Sequence, residues 1–152
     1  MYERILCPID GSETSSAGLE EAIRIARTEG GKIRLIHALD TVYLQSTGYM
    51  IGEIYDQLRA SGRQLLDDAR NKVAAAGVAV ETALIDSNVR RVADAIVDEC
   101  RKWQADIIVI GTHGRRGVSH LLLGSDAEAV ARMSTVPVLL VKPRVSAQAG
   151  AA

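Results

Sequence analysis

The sequence predicts an α/β protein built on an open, parallel, five-stranded sheet with helices on both faces, in the order βαβαβαβαβ. Three observations carry that expectation. Short β-branched runs alternate with longer amphipathic stretches along the chain, the pattern of strands joined by helical crossovers. Apolar residues make up 47% of the sequence while aromatics make up 3% and Phe is absent. A core of Ile, Leu, Val and Ala suits a parallel sheet buried under small-residue helices. The third observation is length: 152 residues bury one sizeable core and are too few for two. A single domain is expected over residues 1–143, followed by a small, polar, disordered tail at 144–152.

Each element can be justified in turn. Tyr2 to Ile9 reads as a short buried strand, and Asp10-Gly11-Ser12-Glu13 as a turn rich in helix caps. From Ser12 to Glu29 the apolar positions Ala17, Leu19, Ala22, Ile23 and Ala26 fall at three- and four-residue spacings, which makes an amphipathic helix stopped by Gly30-Gly31. Lys32 to Leu39 is a second strand. Residues 40–52, with Tyr43 and Tyr49, have no clean period and read as an excursion, either a lid or an ordinary loop, before a long helix at 53–76. Gly77 ends that helix, and residues 78–85 alternate as a third strand. Asp86-Ser87-Asn88 supplies candidate caps for a helix reaching Trp103, itself expected to be a packing residue. Ala105 to Ile110 is the least polar strand and is expected at the centre of the sheet. A helix from Ser125 to Met133 and a strand from Val136 to Lys142 complete the order.

Composition also excludes function classes. With 18 basic and 19 acidic residues the net charge is −1, so there is no global positive field for nucleic acid or an anionic membrane. Few aromatics leave little to stack on single-stranded nucleic acid. No run approaches the roughly 18–20 apolar residues of a membrane span, and the N-terminus lacks the pattern of a signal peptide, so the expected location is the cytoplasm. Cys7 and Cys100 lack neighbours at metal-ligand spacing and read as free thiols.

In such sheets ligands sit at the carboxyl ends of the strands, where strand order reverses. Two segments therefore matter most: Pro8 to Ser12 after the first strand, and Gly111 to Ser125 after the fourth. The latter carries Gly111, Gly114, Gly117 and Gly124. A missing side chain at Gly111 is expected to let backbone approach a ligand, and Gly124-Ser125 opens a helix whose free N–H groups suit an anion. Ser125 adds a hydroxyl, and Arg115 and Arg116 add charge. The spacing is neither the dinucleotide fingerprint nor the P-loop, and by itself fits ordinary turns as well as a phosphate cradle.

Gly111-x2-Gly114-x9-Gly124-Ser125 resembles the G-x2-G-x9-G-[ST] signature of the ATP-binding branch of the universal stress proteins. The resemblance spans nearly the whole chain: Pro8-x-Asp10-Gly11-Ser12 ending the first strand, His37 near the end of the second, residues 106–114 at the fourth and residues 137–141 at the fifth. It implies a Rossmann-like sheet of the adenine nucleotide alpha hydrolase type. It also implies a site in which Asp10 lies near adenine and ribose with Pro8 beside it, and Ala38 offers backbone to the base. Ile110 and Gly111 line the nucleoside, and Gly114, Gly124 and Ser125 the phosphates. ATP, with Mg²⁺, is the implied ligand, and a homodimer through the last strand, Val136 to Lys142, the implied assembly. An apolar edge strand there calls for pairing on general grounds. Where the family often has Val after Gly-Ser, this chain has Asp126, a carboxylate that either opposes phosphate, helps hold a divalent cation or simply suits a first helical turn.

His37 reads as a hydrogen-bonded core residue, while His113 and His120 in the loop can meet phosphate or water. No P-loop lysine and no identifiable base point to phosphoryl transfer. The expected function is an ATP-binding stress-response module with at most slow hydrolysis. The alternatives are a true ATP hydrolase or nucleotidyl enzyme, and a ligand-free dimeric interaction protein.

Overall fold

The computed structural model describes residues 1–41, 51–87, 90–113 and 122–144. Along them run β1 (Arg4–Pro8), α1 (Glu13–Glu29), β2 (Lys32–Leu39), α2 (Ile51–Ala75), β3 (Val80–Asp86), α3 (Val92–Trp103), β4 (Ile107–Gly111), α4 (Ser125–Met133) and β5 (Val138–Val141). The strands form one parallel sheet in the order β3-β2-β1-β4-β5. This is the βαβαβαβαβ architecture expected. The middle strand is β1, not the strand at 105–110. The latter, β4, lies one place over, still interior, with all five residues buried.

The period-two alternation of strands explains the two cores. Ile5, Cys7, Ile33, Leu35, Ile107 and Val109 face one side, where Leu19, Ala22 and Ala26 of α1 and Leu66, Ala69 and Val73 of α2 cover them. Leu6, Ile36, Ile108 and Ile110 face the other, under Ala93, Ile96 and Cys100 of α3 and Ala127 and Val130 of α4. Alanines at the helix contacts compensate for the missing aromatics by letting helices seat close to the sheet.

Local chemistry sets the element ends. Ser12 caps α1 by accepting a hydrogen bond from Ser15 N at 3.2 Å, and Gly30 ends it in the left-handed region at φ 72°. Gly77, at φ 75°, does the same after α2. The N-cap of α3 is Arg91, and neither of the described residues expected to cap it, Asp86 and Ser87, does so. Asp86 extends β3 opposite Leu39, Ser87 Oγ donates to Leu39 O at 2.5 Å, and Arg91 stands at the N-cap without a side-chain bond. Asn88 lies outside the described residues, as do residues 42–50 with Tyr43 and Tyr49, and residues 145–152 of the tail.

At the amino end of the sheet Trp103 is buried, as expected of a packing residue. Its Nε1 donates to Glu81 Oε2 at 3.1 Å, and the Arg4 guanidinium lies 4.7 Å from its ring centre. His37 is likewise a core residue, with Nδ1 2.7 Å from Ile9 O. No helix among the described residues is long and apolar enough to cross a membrane.

Two outcomes follow from this packing. Ile108 is fully buried, so Ile108→Ala should lower the unfolding free energy by about 2–5 kcal/mol, read by urea denaturation. Burial pushes the Cys7 thiol up from 9.0 to about 12. Cys7 should therefore resist alkylation in the native protein at pH 8 and react only on unfolding. Because the unfolded thiol ionises first, its contribution to stability should fall as pH rises above about 9.

Candidate functional site at the carboxyl ends of β1 and β4

The reversal of strand order lies between β1 and β4, since β1 leads outward to β2 and β3 whereas α3 carries the chain back to β4. Beyond β1 the chain makes a compact turn. Gly11 takes φ 81°, which only glycine adopts without strain. Asp10 Oδ1 accepts from Ser12 N at 2.9 Å, and Asp10 N donates to Ser15 Oγ at 3.1 Å. The carboxylate is thus oriented by the first turn of α1.

Beyond β4 the backbone is tied to three elements. Thr112 N donates to Val141 O of β5 at 3.0 Å, and Gly124 N donates to Thr112 O at 2.7 Å, which draws the start of α4 to the end of β4. The His113 carbonyl accepts from Thr14 Oγ1 and, at 3.4 Å, from Ser12 Oγ, joining this loop to α1. Thr14, Ser15 and Thr112 are buried. The loops after β1 and β4 therefore meet through hydroxyl-to-carbonyl bonds, with the N-termini of α1 and α4 beside them. The first N–H groups of a helix have no intrahelical acceptor. Those of α4, in Ser125 and Asp126, lie in exposed residues.

The expected site residues fall as follows. Pro8 ends β1 opposite Ile36, and Ala38 lies in β2 opposite Ile85. Ile110 and Gly111 end β4 opposite Leu140 and Val141. Asp10, Gly124, Ser125 and Asp126 occupy the turns and helix start just described. All eight share the carboxyl end of the sheet, Ala38 one strand removed from the reversal. Gly114, Arg115 and Arg116 lie outside the described residues, and so does His120. Among the described residues no three His, Cys, Asp or Glu side chains group as a metal site. Asp126 stands in the first turn of α4, where negative charge favours the helix.

The role expected of Gly111 needs correction. A Cβ built there would lie 2.5 Å from Thr14 C, 2.6 Å from Thr14 O and 2.8 Å from Ser15 N. The space is occupied by α1, not open to a ligand. Gly18 completes the contact, since a Cβ on it would lie 3.2 Å from Gly111 N. A glycine inside a helix is unfavourable by about 1 kcal/mol against Ala, so Gly18 was the available signal of close helix–strand seating. The buried hydroxyls of Thr14 and Thr112 were missed altogether, because threonine carries no spacing signature in either loop.

A parallel sheet whose strand order reverses between β1 and β4, with the two loops bonded together and flanked by helix N-termini, defines a doubly wound α/β domain. The chain belongs to the universal stress protein family, whose model matches residues 1–142. It is 33% identical to universal stress protein MJ0531 of Methanocaldococcus jannaschii, over 93% of this chain and 83% of that one. Universal stress protein YxiE of Bacillus subtilis is 28% identical over 93% and 100% of the two chains. Among solved structures, the hypothetical protein MJ0577 superposes with a TM-score of 0.83 at 27% identity, covering 93% of this chain and 96% of that chain. A universal stress protein in complex with cAMP superposes at 0.67, with 26% identity and 93% and 98% coverage. The Archaeoglobus fulgidus protein in complex with dAMP superposes at 0.68, with 25% identity and the same coverage.

The packing at Gly111 makes a prediction with an internal control. Gly111→Ala should destabilise the fold by more than about 1 kcal/mol, since backbone must shift to admit the methyl group. Gly52→Ala in α2, where a Cβ meets nothing within 4 Å, should be neutral or mildly stabilising in the same thermal melts.

Proposed function

We propose that the protein is a nucleotide-binding stress-response module that takes an adenine nucleotide, ATP with Mg²⁺, at the crevice between the loops after β1 and β4. The observation that carries this reading is the bond from Gly124 N to Thr112 O, which sets the first turn of α4 beside the loop that ends β4. Helix N-termini of this kind favour phosphate through unpaired donors and the helix dipole. The family relationship and the neighbours solved with cAMP and dAMP support a nucleotide as the ligand.

In this reading Asp10 accepts from the ribose hydroxyls, while Pro8, Ala38 and Ile110 border the base. Gly111 borders the nucleoside with its backbone, Gly114, Gly124 and Ser125 hold the phosphates, and Arg115 and Arg116 offset their charge. Mg²⁺ arrives with the polyphosphate, and Asp126 contributes its backbone N–H. The function is occupancy, with hydrolysis slow. A second copy of the chain pairs along β5, whose Leu140 is 36% exposed, and covers that sheet edge.

Gly124 offers a sharp test. Its backbone, at φ −61° and ψ 148°, lies in a region open to any residue, so the turn itself does not demand glycine. The reading assigns the glycine to close approach of phosphate. Gly124→Val should leave thermal stability within about 1 kcal/mol of the parent protein and weaken ATP binding by roughly tenfold or more in calorimetric titration, because the added side chain holds phosphate away from the first turn of α4 and costs about one hydrogen bond to a charged group. Equal ATP binding by parent and variant would remove phosphate from Gly124. Nucleotide released from natively purified protein, identified after denaturation, names the ligand class directly.

A further inference from the structure

We infer that Tyr55 is a positioning residue for the nucleoside: through Asp86 it holds the overhanging first turns of α2 as a wall beside the end of β2. This rests on the proposed nucleotide site, in which Ala38 of β2 borders the base. The overhang follows from where α2 is seated. Gly62 marks the seat, since a Cβ there would lie 2.8 Å from both His37 Cδ2 and Leu84 Cδ1. His37 and Leu84 are paired, and both strands end two residues later, at Leu39 and Asp86. From Gly62 back to its start the helix rises about 16 Å, whereas β2 continues past His37 for only about 7 Å. The first turns of α2 therefore project beyond the carboxyl end of the sheet, beside β2 and β3. Among the described residues of α2 before Gly62 none is buried, and Ile54 is 40% exposed.

A helix end that buries nothing tends to fray, because helical stability in proteins comes mostly from packing an apolar face. This one is tied down by polar groups. Tyr55 Oη donates to Asp86 Oδ2, and Arg59 Nη1 donates to the same phenol oxygen at 3.2 Å, with its guanidinium 5.5 Å from the ring centre. Asp86 is the last residue of β3 and pairs with Leu39, whose carbonyl accepts from Ser87 Oγ at 2.5 Å. The tether thus ends on the backbone that carries Ala38. A hydrogen bond to a carboxylate is among the stronger ones. It orders turns that cover no core of the protein's own, so the surface they present at the carboxyl end is open to a ligand. A base lying between the end of β2 and this wall depends on the distance between them, which the bond from Tyr55 to Asp86 sets.

The test compares ATP with GTP, which share the triphosphate and differ in the base. Tyr55→Phe removes only the hydroxyl, and Asp86→Ala removes its acceptor. In calorimetric titrations the parent protein should favour ATP, and Tyr55→Phe should lower the ratio of ATP to GTP affinity roughly fivefold, the factor of one hydrogen bond, with GTP affinity unchanged. Asp86→Ala should do the same, and the double variant should lose no more than either, since both substitutions remove one bond. An unchanged ratio in Tyr55→Phe, an equal loss of both ligands, or losses that add overturns the inference, the second result marking Tyr55 as structural. Equal binding of ATP and GTP by the parent protein also overturns it while leaving phosphate binding in place. If the parent binds neither nucleotide, the nucleotide reading itself fails, and the inference with it. Should the variants not fold, or GTP bind too weakly to measure, amide NMR of the parent decides. Adenosine should shift the amides of residues 52–58 and inorganic tripolyphosphate should not; no shift with adenosine, or the same shifts with both, overturns the assignment.

Discussion

The contact on which the site depends is the seating of α1 on the end of β4, made possible by a pair of glycines. Gly18 and Gly111 remove the two side chains that would otherwise separate helix from strand. At that separation Thr14 and Ser12 reach the His113 carbonyl. One steric fact thereby joins the loop after β1 to the loop after β4. The same proximity holds Asp10, whose amide bonds the Ser15 hydroxyl. A side chain at Gly111 would force the start of α1 off the end of β4 and strain the anchor common to the two loops, whereas one at Gly18 would ask its neighbours to give by only a few tenths of an ångström.

The opposite end of the sheet is organised by different chemistry. There Trp103, Arg4, Glu81 and Arg34 satisfy one another through ring contacts, hydrogen bonds and ion pairs. Asp106 Oδ2 accepts from the backbone N–H groups of Glu3 and Arg4 at 2.9 and 2.8 Å, fixing the start of β1 beside the start of β4. Polar groups at the amino end are thus largely matched within the protein: of the two buried guanidinium Nε atoms without a hydrogen bond among the described residues, that of Arg34 lies 3.1 Å from Glu99 Oε1 as an ion pair, and that of Arg4 is the exception. At the carboxyl end the first turn of α4, with Ser125 and Asp126 exposed, lies beside the loop that ends β4. That asymmetry is what a parallel sheet produces, since helix N-termini gather at the carboxyl ends of its strands.

Much of the fold was legible because the signals were local. Lys32 to Leu39 and Ser125 to Met133 were bounded as found, the first by β-branched alternation, the second by Gly-Ser at its start. The place of the strand at 105–110 was not, because burial on both faces identifies an interior strand without fixing its rank. The α3 cap was misread since Asp86 and Ser87, good capping residues, answer instead to β2 through strand pairing and the Leu39 carbonyl. In the candidate site, turn chemistry and family resemblance singled out residues that the fold gathers at the carboxyl end of the sheet: Pro8, Asp10, Ala38, Ile110, Gly111, Gly124, Ser125 and Asp126. Physical roles were less legible: Gly111 looked like space for a ligand and is space for a helix, Thr14 acts on a carbonyl 99 residues away, and Thr112 acts through Gly124 and Val141, contacts that no local pattern encodes.

The central claim is that nucleotide binds where these two loops meet. The most direct measurement is backbone amide NMR of the native protein titrated with ATP and Mg²⁺. The account predicts saturable shifts concentrated at Asp10–Thr14, Gly111–His113 and Gly124–Asp126, with the amides around Trp103 at the far end of the sheet unchanged. Shifts centred elsewhere, or none at millimolar ATP (on the order of 1 mM, a concentration at which even weak sites of about −4 kcal/mol are half filled), would contradict it.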